Sequence, residues 1–179
     1  MIAALAGRRI DAPSAPAPRF PLSSVDRVRE RLRTLFRAER PAGLVSSAAC
    51  GADLVALAEA TSLEIPCRIV LPFDPERFRA DSVTNRPGEW GALFDRLLRQ
   101  ARSGGGVVVV EHGLPTDGQA FAAVNRRILD EAATLAAGVH DVVGILVWEG
   151  SARAGDDLTA DFGSVAAARG HRVVHVSTL

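Results

Sequence analysis

The sequence predicts an α/β fold built on a mostly parallel sheet of about six strands, and two observations carry that prediction. Short apolar runs alternate with amphipathic stretches along the 179 residues, the signature of repeated strand–helix–strand units. Five of the six apolar runs are continuous rather than alternating, as expected of strands covered on both faces by helices. The layered result is a Rossmann-like three-layer sandwich.

Strands are expected over 2–6, 44–47, 67–71, 107–110, 142–147 and 172–176. The first helix, about 24–38, places Val25, Val28, Leu32, Leu35 and Phe36 on one stripe with arginines opposite, and Ser23 or Ser24 is placed to cap it. Further helices are expected over 51–61, 87–102, 118–137 and 158–169. Gly104-Gly105-Gly106 reads as a helix stop before a strand, and Asp11–Pro18 as an extended proline-rich linker. No repeat or boundary divides the chain, so residues 1–179 read as one domain, large enough to bury roughly 70% of its unfolded surface.

Composition excludes several chemistries. All 21 basic residues are arginines, which rules out P-loop NTPases, Schiff-base enzymes and Ser-Lys hydrolases. The 21 carboxylates bring the formal charge to zero, so an anion must be held by a local arginine cluster or by backbone amides rather than by a global field. Cys50 and Cys67 form neither a disulfide framework nor a metal pattern, and neither a metal nor a cofactor is expected; a reducing cytoplasm is the expected compartment. Met1–Gly7 is apolar but followed by Arg8 and Arg9, the reverse of a signal peptide, and reads as a first strand. No apolar stretch reaches membrane-spanning length, since His140 and Asp141 break the longest.

In open parallel sheets ligands bind where the strand carboxyl ends meet the following loops. The first such loop offers Gly7 for close backbone approach, then Arg8 and Arg9 as anion forks, with Asp11 as an alternative surface partner for either. The second, Ser46-Ser47-Ala48-Ala49-Cys50-Gly51-Ala52-Asp53, enters a helix through small residues; it suits a phosphate on the helix amides, or simply tight packing. Cys50 reads as a packing residue. In the third, Phe73 and Phe78 could flank a planar group or anchor the loop, Arg77 or Arg79 could reach a phosphate, and Trp90 reads as core. Glu111-His112-Gly113 places an acid beside an imidazole, but neighbours on an extended chain point apart. Asn125-Arg126-Arg127 lies within a helix. The last loop, from Glu149 and Gly150 to Thr159, carries Asp156 or Asp157 as a helix cap, and its acids suit sugar hydroxyls, an amine or a cation better than phosphate.

These motifs carry a resemblance. Ser46–Leu54 followed by Ile69-Val70-Leu71-Pro72-Phe73 resembles the small-residue, Gly-x-Asp and Leu-Pro-Phe pattern of the SLOG superfamily. These are Rossmann-like nucleotide-ligand domains that include the LONELY GUY hydrolases, bacterial DNA-processing protein A and the amino-terminal domain of TRPM channels. Asn125–Leu129 is similar to an Arg-Asn-Arg-Ile-Ile stretch of DNA-processing protein A, and Gly155 with Leu158-Thr159-Ala160 to its Gly-Ser-Leu-Ile-Thr-Ala helix start. Arg9–Pro13 and Pro18–Pro21 resemble SLOG-like domains of bacterial signalling proteins.

The resemblance implies a nucleotide or nucleotide-derived small molecule as partner. Phosphate would sit at the Ser46–Asp53 turn (Ser46, Ser47, Ala48, Gly51, Asp53) with Gly7 and Arg8 or Arg9; Asn125, Arg126, Gly150, Asp157 and Thr159 would hold sugar or base. It also implies a homodimer. The chain departs from the family's hydrolases: Asp156-Asp157 replace paired glycines, and Phe162 stands where a catalytic glutamate is needed. Asp161 is one residue away, a rotation of about 100° on a helix. The expected role is therefore a sensor or signalling domain without turnover. The alternative is an N-glycosidase, phosphoribohydrolase or deoxyribosyltransferase using Asp161, Asp157 or Glu149. Single-stranded DNA binding ranks last because of the zero net charge.

Overall fold

A computed structural model describes residues 1–110, 117–138 and 141–179. The chain is an α/β fold with a six-stranded, all-parallel sheet in the order β4-β3-β2-β1-β5-β6. The strands are β1 (Ile2–Gly7), β2 (Gly43–Ser46), β3 (Cys67–Leu71), β4 (Val107–Val109), β5 (Val142–Trp148) and β6 (Arg172–Ser177), and the helices are α1 (Val25–Glu39), α2 (Ala52–Ser62), α3 (Pro75–Phe78), α4 (Trp90–Ser103), α5 (Asp117–Leu135) and α6 (Leu158–Ala168). Among the described residues no helix is long and apolar enough to cross a membrane.

The continuous apolar runs have the expected cause. Ala3, Ala4 and Leu5 of the central strand are fully buried, with one apolar cluster on each side of the sheet. On one side, Leu32 and Phe36 of α1, Leu54 and Leu57 of α2, and Phe94 of α4 pack against Ala3 and Leu5. On the other, Val124 and Ile128 of α5 and Phe162 of α6 pack against Ala4, Val45 and Leu146. Phe162 is thus a fully buried core residue. Neighbouring strands run in register from the middle of the sheet outward, Leu5 beside Ser46 on β2 and Gly7 beside Val147 on β5. Successive strands β1 to β4 step one way, and β5 then returns to the other side of β1. The direction of winding therefore reverses at β1, leaving a crevice at the carboxyl ends of β1 and β5 where helices part to opposite faces.

Three local expectations are corrected. Ser24 starts α1 but makes no side-chain cap hydrogen bond, because a turn of 3-10 helix over Leu22–Ser24 already holds it in helical geometry at φ −90° and ψ −5°; side-chain capping needs an extended residue there. The charged stretch after β3 is helical, not loop: Asp74 caps α3 by accepting from the Arg77 amide at 3.0 Å, and a wider π turn continues over Arg79–Val83. α4 begins at Trp90 rather than three residues earlier; the Trp90 indole donates to the Pro87 carbonyl at 2.7 Å and is buried as core. Phe78 is fully buried between Phe73 and Phe94, with ring centroids 6.2 and 6.0 Å away, so it anchors this segment.

Candidate functional site

Two glycines bring the loops of the crevice together. A Cβ on Gly7 would lie 2.4 Å from the Ala52 Cβ and 2.7 Å from the Val147 carbonyl, so only glycine lets α2 and β5 both close on the end of β1. Gly51 has φ +101°, a conformation L side chains rarely adopt, and a Cβ there would meet the Arg8 carbonyl at 2.8 Å. That conformation lets the chain pair antiparallel with Arg9: the Ile10 amide donates to the Cys50 carbonyl at 3.3 Å and the Ala52 amide to the Arg8 carbonyl at 3.0 Å.

Beyond Gly7 the two arginines part. Arg8 is 3% exposed, and its guanidinium is held as a double fork. It donates to both Glu149 oxygens at 2.7 and 3.0 Å, to both Asp157 oxygens at 2.6 and 2.9 Å, and to the Ser151 carbonyl at 2.9 Å. Those contacts use its donors within the protein. Arg19 also bonds Glu149. Asp157 caps α6 as expected, accepting from the Thr159 and Ala160 amides at 3.0 and 3.1 Å. Burial is the largest single influence and would raise the Asp157 and Glu149 carboxyls, but Arg8 together with the Arg153 and Ala160 amides at Asp157, and with Arg19 at Glu149, outweighs it and holds both below the usual carboxylate range. Asp11 pairs with neither Arg8 nor Arg9; it accepts from the Arg19 and Phe20 amides at 2.9 and 3.0 Å and so closes the proline-rich loop.

The start of α2 is partly satisfied from within. The Cys50 amide donates to the Ser82 carbonyl at 3.0 Å, the Ala52 amide to Arg8, and the Ala49 amide to Asp53 at 3.2 Å. Asp53 is buried, and desolvation pushes its carboxyl up to about 7, against the pull of the Ala49 amide and the Arg9 charge. Burial likewise pushes the Cys50 thiol up, more strongly than Arg9 draws it down, so a thiolate nucleophile is disfavoured there.

Around the crevice lies a cavity of about 730 Å³. Of the sequence-predicted residues, Gly7, Arg8, Arg9, Ser47, Asp53, Asn125, Asp157 and Thr159 line it. Ser46, Ala48 and Gly51 are buried behind it, while Arg126, Gly150 and Asp161 are exposed and do not line it. Asn125 reaches across from α5 to donate to the Leu158 carbonyl at 2.7 Å. Glu149 lies behind Arg8, off the lining. Glu111-His112-Gly113 falls outside the described residues.

Sequence reasoning did not pick out Ser82, Arg86, Phe121 or Arg153, all of which line the cavity, and it took the proline-rich loop as a linker although Ala12, Ser14 and Pro16 form one wall. Position was the available signal for that loop: it joins the carboxyl end of β1 to α1, where ligands gather. Among the described residues no group of three His, Cys, Asp or Glu could hold a metal.

Fold and site together define a Rossmann-like α/β protein with a cavity at the switch point of a six-stranded parallel sheet. No protein-family model and no curated protein sequence matches the chain.

Proposed function

We propose that this cavity binds a nucleotide or nucleotide-derived ligand, in the manner of SLOG-type sensor domains and without turnover. The observation that carries the reading is the cavity itself: about 730 Å³ at the β1/β5 switch point, lined by cationic side chains together with Thr159 and Asn125. That volume and polarity suit a mononucleotide or small dinucleotide. Turnover through the three acids singled out from the sequence is disfavoured by their partners and placement. Asp157 and Glu149 are tied to Arg8 and held below the usual carboxylate range, so neither can donate a proton near neutral pH, and Asp161 is off the lining.

Thermal-shift screening against nucleoside monophosphates and cyclic and linear dinucleotides tests the reading. A ligand at about 100 times its dissociation constant stabilises by about 2.7 kcal/mol, a rise of roughly 5–10 °C in a domain of this size. Ser47→Arg fills the cavity and is expected to abolish the shift; a shift that survives it places the ligand elsewhere. Free base released in the same incubations, and lost in Asp161→Ala, would replace the binding reading with the N-glycosidase alternative.

A further inference from the structure

Among the described residues five arginines line the cavity: Arg8, Arg9, Arg19, Arg86 and Arg153. Arg8 and Arg19 are tied to Glu149, and Arg8 also to Asp157. Among the described residues Arg9 and Arg86 form no ion pair with any carboxylate. Arg9 bonds the Asn85 side-chain carbonyl, yet its Nε is buried without an acceptor, and the Nε of Arg86 is in the same state. Both guanidiniums act on one point, the Cys50 thiol at the start of α2. Beside them Ser82 is 1% exposed, lines the cavity, and has a hydroxyl with no partner. Its carbonyl, by contrast, is fixed on the Cys50 amide. Two orphaned guanidinium N–H groups and a buried hydroxyl in one corner are costly unless an acceptor arrives. The acid neighbouring Arg9, Asp53, is one whose charged form burial disfavours, so it offers that cation little compensation.

We infer that Arg9, Arg86 and Ser82 form an anion subsite that receives the phosphoryl end of the ligand, on the flank of the cavity away from the Arg8–Glu149–Asp157 network. The inference rests on the nucleotide reading for the rest of the ligand but not for the subsite itself. A phosphate or pyrophosphate group supplies several acceptor oxygens and negative charge, the chemistry two guanidinium forks and a hydroxyl recognise. It also moves the phosphate from the amides of α2, several of which have protein acceptors, to side chains that lack them.

Calorimetric titration with inorganic pyrophosphate at low salt tests it, alongside the nucleoside monophosphates. Wild type is expected to bind pyrophosphate saturably at one site. Arg86→Ala weakens binding by at least about tenfold, as befits loss of charge-assisted bonds, and Arg86→Lys, a charge without a fork, falls between. Ser82→Ala weakens it about threefold or more. Arg37→Ala, exposed on α1 and off the lining, leaves it unchanged. The subsite is overturned if pyrophosphate fails to bind, or binds Arg86→Ala as tightly as wild type. Should nucleotides bind wild type and Arg86→Ala equally, the subsite falls and the nucleotide reading stands. Arg86-dependent pyrophosphate binding with no nucleotide binding keeps the subsite and removes the nucleotide reading.

Discussion

Asp157→Ala is expected to destabilise the fold by about 3–5 kcal/mol, measured by urea unfolding at pH 7. The loss has a specific origin. Arg8 is 3% exposed and shares its fork between Asp157 and Glu149, so removing one carboxylate strands part of a buried cation. Most of the expected cost is that uncompensated charge rather than the attraction forgone. A further contribution of about 1 kcal/mol comes from the lost cap of α6, where Asp157 accepts from Thr159 and Ala160. Breaking an exposed pair gives the contrast: Arg172→Ala, whose side chain is 52% exposed beside Glu39, should cost under about 1 kcal/mol. The pH dependence follows. Arg8 holds Asp157 and Glu149 below their ordinary range, so their stabilisation is complete above the unfolded value of about 4 and is lost as pH falls through the lower folded values. Asp157→Ala should therefore show a shallower acid limb than wild type.

Asp53→Asn is expected to act in the opposite sense and to stabilise the protein at pH 8, by an amount on the order of 2–4 kcal/mol. Burial raises the Asp53 carboxyl to about 7, well above its unfolded value. Between those two values the folded state binds more protons than the unfolded state, so stability falls as pH rises toward 7 and is flat beyond it. An asparagine oxygen can still accept from the Ala49 amide, which Asp53 receives at 3.2 Å, and carries no charge to desolvate. The gain should be large at pH 8 and nearly absent at pH 4. An equal gain at both would show that ionisation of Asp53 is not what limits stability.

The strands were legible because five of the six are compact apolar runs, and β3 fell where expected over Cys67–Leu71. Their order was not. Any of these apolar runs could sit beside β1 on pattern alone, and only tertiary packing selects β2 and β5 as its neighbours. That order makes β1/β5 the switch point, which is why the loops after those two strands face one cavity. α3 was missed because the four residues Pro75-Glu76-Arg77-Phe78 are too few to show a period, and its start rests on one Asp74 cap. The fate of Arg8 was equally hidden. Its partners lie 141 and 149 residues away, and nothing local separates an arginine that seeks a phosphate from one that neutralises Glu149 and Asp157. Arg86 lies in an irregular segment before α4 with no motif around it, and only its orphaned Nε beside Ser82 and Cys50 draws attention to it.

A nucleotide-like ligand in the β1/β5 cavity is located by a backbone amide chemical-shift titration with the nucleotide that gives the largest thermal shift. Perturbations should concentrate at Gly7, Arg9, Ser47, Asn125 and Thr159, which line the cavity from four separate segments. Perturbations confined to the outer edge at β6 or to the exposed face of α1, with those five amides unmoved, would contradict it.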